Sequence, residues 1–195
     1  MTVNSIHTMA HKTGYLELII GPMFSGKTSE ILTLTRQYML SKMNPCVINH
    51  STDKRYHETM LSTHDKQMIP CINTFSLTNI LTSEIIHAHG VFLINEGQFF
   101  PDIYESVCLL VEKYHKIVHV CGLDGDFKRN EFGHLLKLIP LCDNIIKKTA
   151  ICSVCEDGTK ALFSHRLSNE TAIKVIGSSN YIPVCRGCYI KLNKH

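Results

Sequence analysis

Residues 15–28, YLELIIGPMFSGKT, join a short apolar run to a glycine-bounded loop, and the helix-forming stretch SEILTLTRQYML follows. Gly21 and Gly26-Lys27-Thr28 satisfy G-x-x-x-x-G-K-[ST], the pattern of a phosphate-binding loop. This feature limits the chain to folds in which a buried strand delivers a loop that opens a helix. Glycines let the loop turn its N–H groups inward around an anion. A helix starting near Lys27 adds its partial positive charge. Lys27 is expected on the β- and γ-phosphates and the Thr28 hydroxyl on Mg²⁺. Gly21, Pro22, Met23, Phe24, Ser25, Gly26, Lys27 and Thr28 together are the expected nucleotide cradle.

The rest of the chain supports that fold class. Strands are expected at Tyr15–Ile20, Cys46–Asn49, Val91–Ile94 and Ile117–Cys121, where apolar runs are short and continuous. Helices are expected over 28–43, ended by Pro45, over 77–89 and over 102–115, where apolar residues recur at helical spacing. Residues 50–70 are polar and aperiodic and predict a long loop or hairpin. The runs 135–139 and 145–150 carry weaker patterns. Alternating strands and helices predict an α/β fold, a P-loop NTPase-type parallel sheet flanked by helices. The pattern changes near residue 150. The expected organisation is a flexible leader over 1–14, an α/β domain over 15–150 and a small zinc-ribbon-like domain over 151–195.

That last segment rests on its cysteines. Cys152-Ser-Val-Cys155 and Cys185-Arg-Gly-Cys188 form two C-x-x-C knuckles with twenty-nine residues between them. Four thiolates in two knuckles suit one tetrahedral, structural Zn²⁺ with no open position. The remaining five of the nine cysteines stand singly, mostly in apolar runs, and are read as small buried hydrophobes. An odd total argues against a complete disulfide framework.

Bulk properties exclude other classes. No apolar run reaches the ~20 residues that a membrane helix needs. The opening MTVNSIHTMAHKTG carries no signal-peptide core, so a cytoplasmic address is expected. The net charge of +3 is spread thinly, which argues against a nucleic-acid footprint. The twelve histidines show no metal-site spacing.

INEGQFF, at 94–100, places an acid at the end of the strand Val91–Ile94. Ligands gather at that edge of open α/β sheets, so Glu96 is read as a general base for a substrate hydroxyl. The motifs GPMFSGKT, DKRY at 53–56, THD at 63–65, NEGQFFPD at 95–102, LDGDFKRNEFG at 123–133 and VIG…YIPVCRGCY resemble, in order and spacing, the type II thymidine kinases, the cellular and viral tetrameric family. The resemblance spans Tyr15 to Tyr189. It implies transfer of the γ-phosphoryl of ATP to the 5′-hydroxyl of thymidine or deoxyuridine, in pyrimidine salvage, with Mg²⁺. It also implies a homotetramer and feedback inhibition by dTTP.

By residue, the resemblance implies that Glu96 is the base. Lys27 and Arg55 become the catalytic cations. Asp53, Lys54, Arg55, Asn95, Glu96, Gly97 and Gln98 join the cradle on the ATP side. Met23, Asp53, Phe99, Phe127, Phe132 and Tyr181 surround the nucleoside, and Ile173, Lys174, Val175, Ile176 and Gly177 read its base through main-chain groups. Asn95 departs from the family's Asp, keeping an oxygen acceptor but not the charge. Two alternatives stand beside this reading: a kinase impaired at Asn95, and a P-loop/zinc-ribbon ATPase or nucleic-acid-binding module.

Overall fold

A computed structural model of the chain describes residues 13–52, 60–62, 67–168 and 180–193. The expected leader lies outside them except for Thr13 and Gly14. β1 (Tyr15–Ile20) enters the phosphate loop, α1 (Lys27–Leu40) leaves it, and β2 (Pro45–His50) returns to the sheet. A hairpin of β3 (Met60–Ser62) and β4 (Met68–Pro70) precedes β5 (Ile72–Thr74) and α2 (Ser83–Ala88). Then come β6 (Val91–Ile94), α3 (Ile103–Cys108), β7 (Ile117–Gly122) and β8 (Asn144–Lys147). The C-terminal part holds β9 (Ala150–Ile151), β10 (Lys160–Ala161), β11 (Phe163–Arg166), β12 (Tyr181–Val184) and α4 (Arg186–Leu192).

The six-stranded sheet runs β5-β2-β6-β7-β1-β8, and every neighbouring pair is parallel. Its strands alternate between two cores. Leu16, Leu18, Ile20, Phe92, Ile94, Val118 and Val120 pack with Ile86, Ile103, Val107 and Leu135 on one face. Ile19, Val47, Val91, Leu93 and Cys121 pack with Ile31, Leu34, Leu61 and Ile69 on the other. Covering both faces is what lets an all-parallel sheet read as continuous apolar runs. A third, small cluster gathers Ala150, Cys152, Ala161, Val184, Cys188 and Tyr189.

Three expectations need correction. The helix expected over 77–89 is α-helical only from Ser83 to Ala88. Leu77 and Ile80 are held instead in a turn before Thr82, whose hydroxyl accepts from Ile85 N at 3.3 Å and starts the helix. The helix expected over 102–115 widens after Cys108 into a π-helical segment, Leu109–Lys113. The first helix ends at Leu40, with Lys42 in the left-handed region at φ 57°, so Pro45 opens β2 rather than ending α1. The weaker runs resolve into a 3-10 segment, Leu135–Leu141, and strands β8 and β9.

A polar group is buried beneath α1. His119 on β7 bridges Glu17 on β1 (Nδ1 to Oε1, 3.1 Å) and Tyr38 on α1 (Nε2 to OH, 2.8 Å). Asn144 on β8 donates to the other Glu17 oxygen at 2.7 Å. Burial opposes ionisation of Glu17, yet the hydrogen bonds from His119 and Asn144 outweigh it and hold the carboxyl below its ordinary value. Burial, then the Glu17 charge, pushes the Tyr38 phenol up to about 12.

Asp102 fastens the turn that replaced the first half of the expected helix. Its carboxylate accepts from Ser76 Oγ (2.7 Å), Leu77 N (3.1 Å), Thr78 N (2.8 Å) and Thr78 Oγ1 (2.9 Å). Burial opposes ionisation, but these donors hold the carboxyl below its ordinary value. A depressed acid stabilises the fold above its unfolded value, roughly 3.9, and that stability is lost as pH falls through the folded value. Asp102→Ala is therefore expected to cost about 1–2 kcal/mol at pH 7. Melting curves taken at successive pH values should show the gap to the parent closing below roughly pH 4; a gap constant with pH would rule this role out.

Candidate active site

The parallel order sends every carboxyl end of the sheet to one edge, and the phosphate loop and Glu96 both lie there. Gly21 has φ 152°, and a Cβ on it would meet Lys148 O at 2.4 Å. Only glycine lets the loop leave β1 this close to the end of β8. Phe24 (φ 62°) and Gly26 (φ 78°) turn the chain through the left-handed region, which favours the inward N–H geometry of an anion nest. Ser25 Oγ donates to Pro22 O at 2.8 Å, and Lys27 Nζ donates to the same carbonyl at 2.6 Å. The ammonium thus lies across the loop. Lys148 pairs with Glu30 at 2.6 Å and ties the end of β8 to the first turn of α1. Thr28, half-buried in that turn, presents the hydroxyl of the motif.

Glu96 follows Asn95 at the end of β6 with φ 57° and ψ 42°, a left-handed residue that starts the 3-10 turn Gly97–Phe99. Such a conformation costs a non-glycine side chain of order 1 kcal/mol or more and is concentrated at functional sites. Gln98 holds the carboxylate, donating from Nε2 to Glu96 Oε2 at 2.6 Å. The Gln98 carbonyl oxygen accepts from Leu123 N at 3.0 Å, which anchors the amide to the loop after β7. Gly133 presses on the same turn: at φ 63° its missing Cβ would lie 2.0 Å from Gln98 O. Cys121 is on β7, which stands between β6 and β1 in the sheet, and burial pushes its thiol far up. Its Sγ donates to Lys27 O at 3.5 Å.

The aromatic residues fall into two groups. Phe99 meets Phe132 edge-to-face with centroids 5.3 Å apart, and the His50 ring lies 5.5 Å from that of Phe99. Phe127 lies under the guanidinium of Arg166, 3.7 Å from its centroid, while Arg166 Nη2 and Nε donate to Tyr181 OH at 2.6 and 3.1 Å. The loop carrying Phe127 closes on Asp126, which accepts from Lys128 N and Asn130 N at 2.8 Å each. Asp53, Lys54, Arg55, His64 and the run Ile173, Lys174, Val175, Ile176, Gly177 lie outside the described residues.

Two residues absent from the sequence reading join the second group to the phosphate loop. Ser164 and Arg166 lie on β11 two positions apart, both buried. Ser164 Oγ accepts from Met23 N at 2.9 Å, so β11 caps the phosphate loop as well as holding Phe127 and Tyr181. Ser164 and Met23 are 141 residues apart, and no local pattern signals such a contact. Below β11, the sulfurs of Cys152, Cys155, Cys185 and Cys188 lie within 4.8 Å of one another. Cys155 Sγ is 3.8 Å from Cys185 Sγ and 3.5 Å from Cys188 Sγ. A tetrahedron with metal–sulfur bonds of roughly 2.3 Å has edges of about 3.8 Å, so the cluster is of the size to form a zinc site.

A family model described as "Thymidine kinase" matches residues 14–189. The chain belongs to the thymidine kinase family. It is 41% identical to the thymidine kinase of Yaba monkey tumor virus (strain VR587) over 186 residues, 95% of this chain and 99% of that one. It is 44% identical to those of Monkeypox virus and Vaccinia virus (strain Western Reserve) over 178 residues, 91% of this chain and 97% of each relative. Membership of the thymidine kinase family places the chain among ATP-dependent nucleoside kinases, which are transferases. Among the described residues, no helix is long and apolar enough to cross a membrane.

Proposed function

We propose that the chain transfers the γ-phosphoryl of ATP to the 5′-hydroxyl of thymidine or deoxyuridine, with Glu96 as base. The observation that carries this is that the phosphate loop after β1 and Glu96 after β6 lie at the same carboxyl edge of the parallel sheet. A carboxylate fixed by Gln98 can take the proton of a primary alcohol. The loop N–H groups of Gly21 to Thr28 and the Lys27 ammonium bind the phosphates and stabilise the charge of a loose transition state. Arg55 adds the second cation, and Asp53, Lys54, Gly97 and Gln98 complete the ATP side in this reading.

Mg²⁺ supplies charge neutralisation on the phosphates when bound. The Thr28 hydroxyl and the Asn95 side-chain oxygen would hold it, the chemistry a hard cation takes. Asn95 brings no charge, so the reading is of a working kinase with weaker magnesium affinity. Met23, Phe99, Phe127, Phe132 and Tyr181 enclose the base, with residues 173–177 reading its edge. Flat apolar faces suit a pyrimidine. Zn²⁺ held by Cys152, Cys155, Cys185 and Cys188 ties both ends of that segment to the small third core, and the segment from residue 151 onward acts as a domain of its own. The same reading includes a cytoplasmic homotetramer inhibited by dTTP.

The direct test is phosphate transfer from labelled ATP with thymidine, deoxyuridine and deoxycytidine at several magnesium levels. Thymidine and deoxyuridine are expected to be phosphorylated, with a magnesium requirement that tightens in Asn95→Asp. ATP turnover that is indifferent to nucleoside would overturn the proposal.

A further inference from the structure

Three asparagines stand side by side at the carboxyl edge of the sheet. The register of β2 with β5 pairs Asn49 with Asn73. The register of β2 with β6 pairs Ile48 with Ile94, so the next residue on each strand sets Asn49 beside Asn95. Asn95 N donates to Ile48 O at 2.8 Å and carries the ladder one step further. Paired residues in a sheet send their side chains to the same face, and here the carboxamides join. Asn95 Nδ2 donates to Asn49 Oδ1 at 2.9 Å, and Asn49 Nδ2 donates to Asn73 Oδ1 at 3.0 Å. Asn49 and Asn95 are each only 2% exposed, so these bonds replace water that the groups have lost.

We propose that Asn49 is the positioning residue for Asn95, and that this directional chain of amides decides which side chain can stand at the end of β6. A carboxamide has a donor end and an acceptor end. Asn49 spends its acceptor on Asn95 and its donor on Asn73, so each link sets the direction of the next. A carboxylate at 95 only accepts. Asn49 then has to turn its donor toward 95 and its acceptor toward Asn73, whose side chain is only half-buried and can turn to meet it. An acid at 95 is therefore tolerated while residue 49 is an amide. An acid at 49 is tolerated for the same reason while residue 95 is an amide. Acids at both positions set two buried carboxylates face to face, where they repel and one has to take up a proton at a cost in stability. Because Glu96 is the next residue, the amide chain also steadies the turn that aims the base, an extension that rests on the kinase reading.

The test compares the full-length parent with Asn95→Asp, Asn49→Asp, Asn49→Leu and the double variant Asn49→Asp/Asn95→Asp. Each single acid is expected to melt within about 3 °C of the parent. The double variant should lose at least ~8 °C more than the sum of the singles, or fail to fold, because residues sharing a hydrogen bond do not add. Additive losses would overturn the proposal, and this result is independent of what the enzyme phosphorylates. On the kinetic side, Asn49→Leu should lower kcat for thymidine by about tenfold or more with the KM of ATP unchanged. Asn49→Asp should bring kcat back to within about threefold of the parent, since it restores the bond to Asn95. Full kcat in Asn49→Leu, or equal losses in both variants, would remove Asn49 from the site. A parent that turns over no thymidine would sink the kinase reading while the melting cycle still decides the amide chain.

Discussion

Glu96→Gln is expected to lower thymidine turnover by about 100- to 10,000-fold, the range for losing a positioned general base. The substitution is informative because it changes little else. Glutamine keeps the length and the oxygen that accepts from Gln98 Nε2, and it tolerates the left-handed backbone at φ 57° as well as glutamate does. The phosphate loop is braced from within, by Ser25 Oγ and Lys27 Nζ donating to Pro22 O. ATP should therefore bind the variant with an affinity within about threefold of the parent, read by calorimetry. Turnover within tenfold of the parent would mean that another group takes the proton, and the assignment of Glu96 would fall.

Loss of the proposed zinc is expected to be the second large effect. The C-terminal cluster is small, with Ala150, Ala161, Val184 and Tyr189 as its main apolar members beyond the cysteines. So little buried surface cannot hold a fold alone, and small metallo-domains draw roughly 10 kcal/mol or more from their zinc. Yet β11 leaves this cluster to cap Met23 through Ser164 and to hold Phe127 and Tyr181 through Arg166. Chelation, or Cys155→Ser, is expected to weaken thymidine binding by at least about tenfold before the parallel sheet melts. ATP affinity should fall by a smaller factor, because only one of the loop's supports is lost. Metal content, thymidine calorimetry and far-ultraviolet circular dichroism on the same samples separate these effects. Metal-free protein that binds thymidine unchanged would show that β11 stands without a metal.

How legible the fold was depended on how local its causes are. Val91–Ile94 was readable because a strand covered on both faces must be apolar at every position. The phosphate loop was readable because its glycines and Lys27 act through their own backbone. The helix expected over 77–89 was misjudged for the opposite reason. Leu77 and Ile80 have helical spacing, but Asp102, twenty-five residues away from Leu77, captures the backbone there. At the site, Glu96 could be placed from the end of its strand, whereas Ser164, Arg166 and Asn49 could not. Their partners Met23, Tyr181 and Asn95 are reached only through sheet register and the folding of the C-terminal segment onto the loop. His119 and His50 are both buried, and spacing did not reveal that His119 joins two strands to α1.

That junction has a bearing on motion. Tyr38, His119 and Glu17 pin the far end of α1 to the middle of the sheet, some three turns beyond the residues that grip phosphate. A helix clamped at its tail cannot roll over the strands when nucleotide arrives. Whatever rearrangement accompanies substrate capture has to be taken up by the segments that overhang the carboxyl edge, against a seat that stays still.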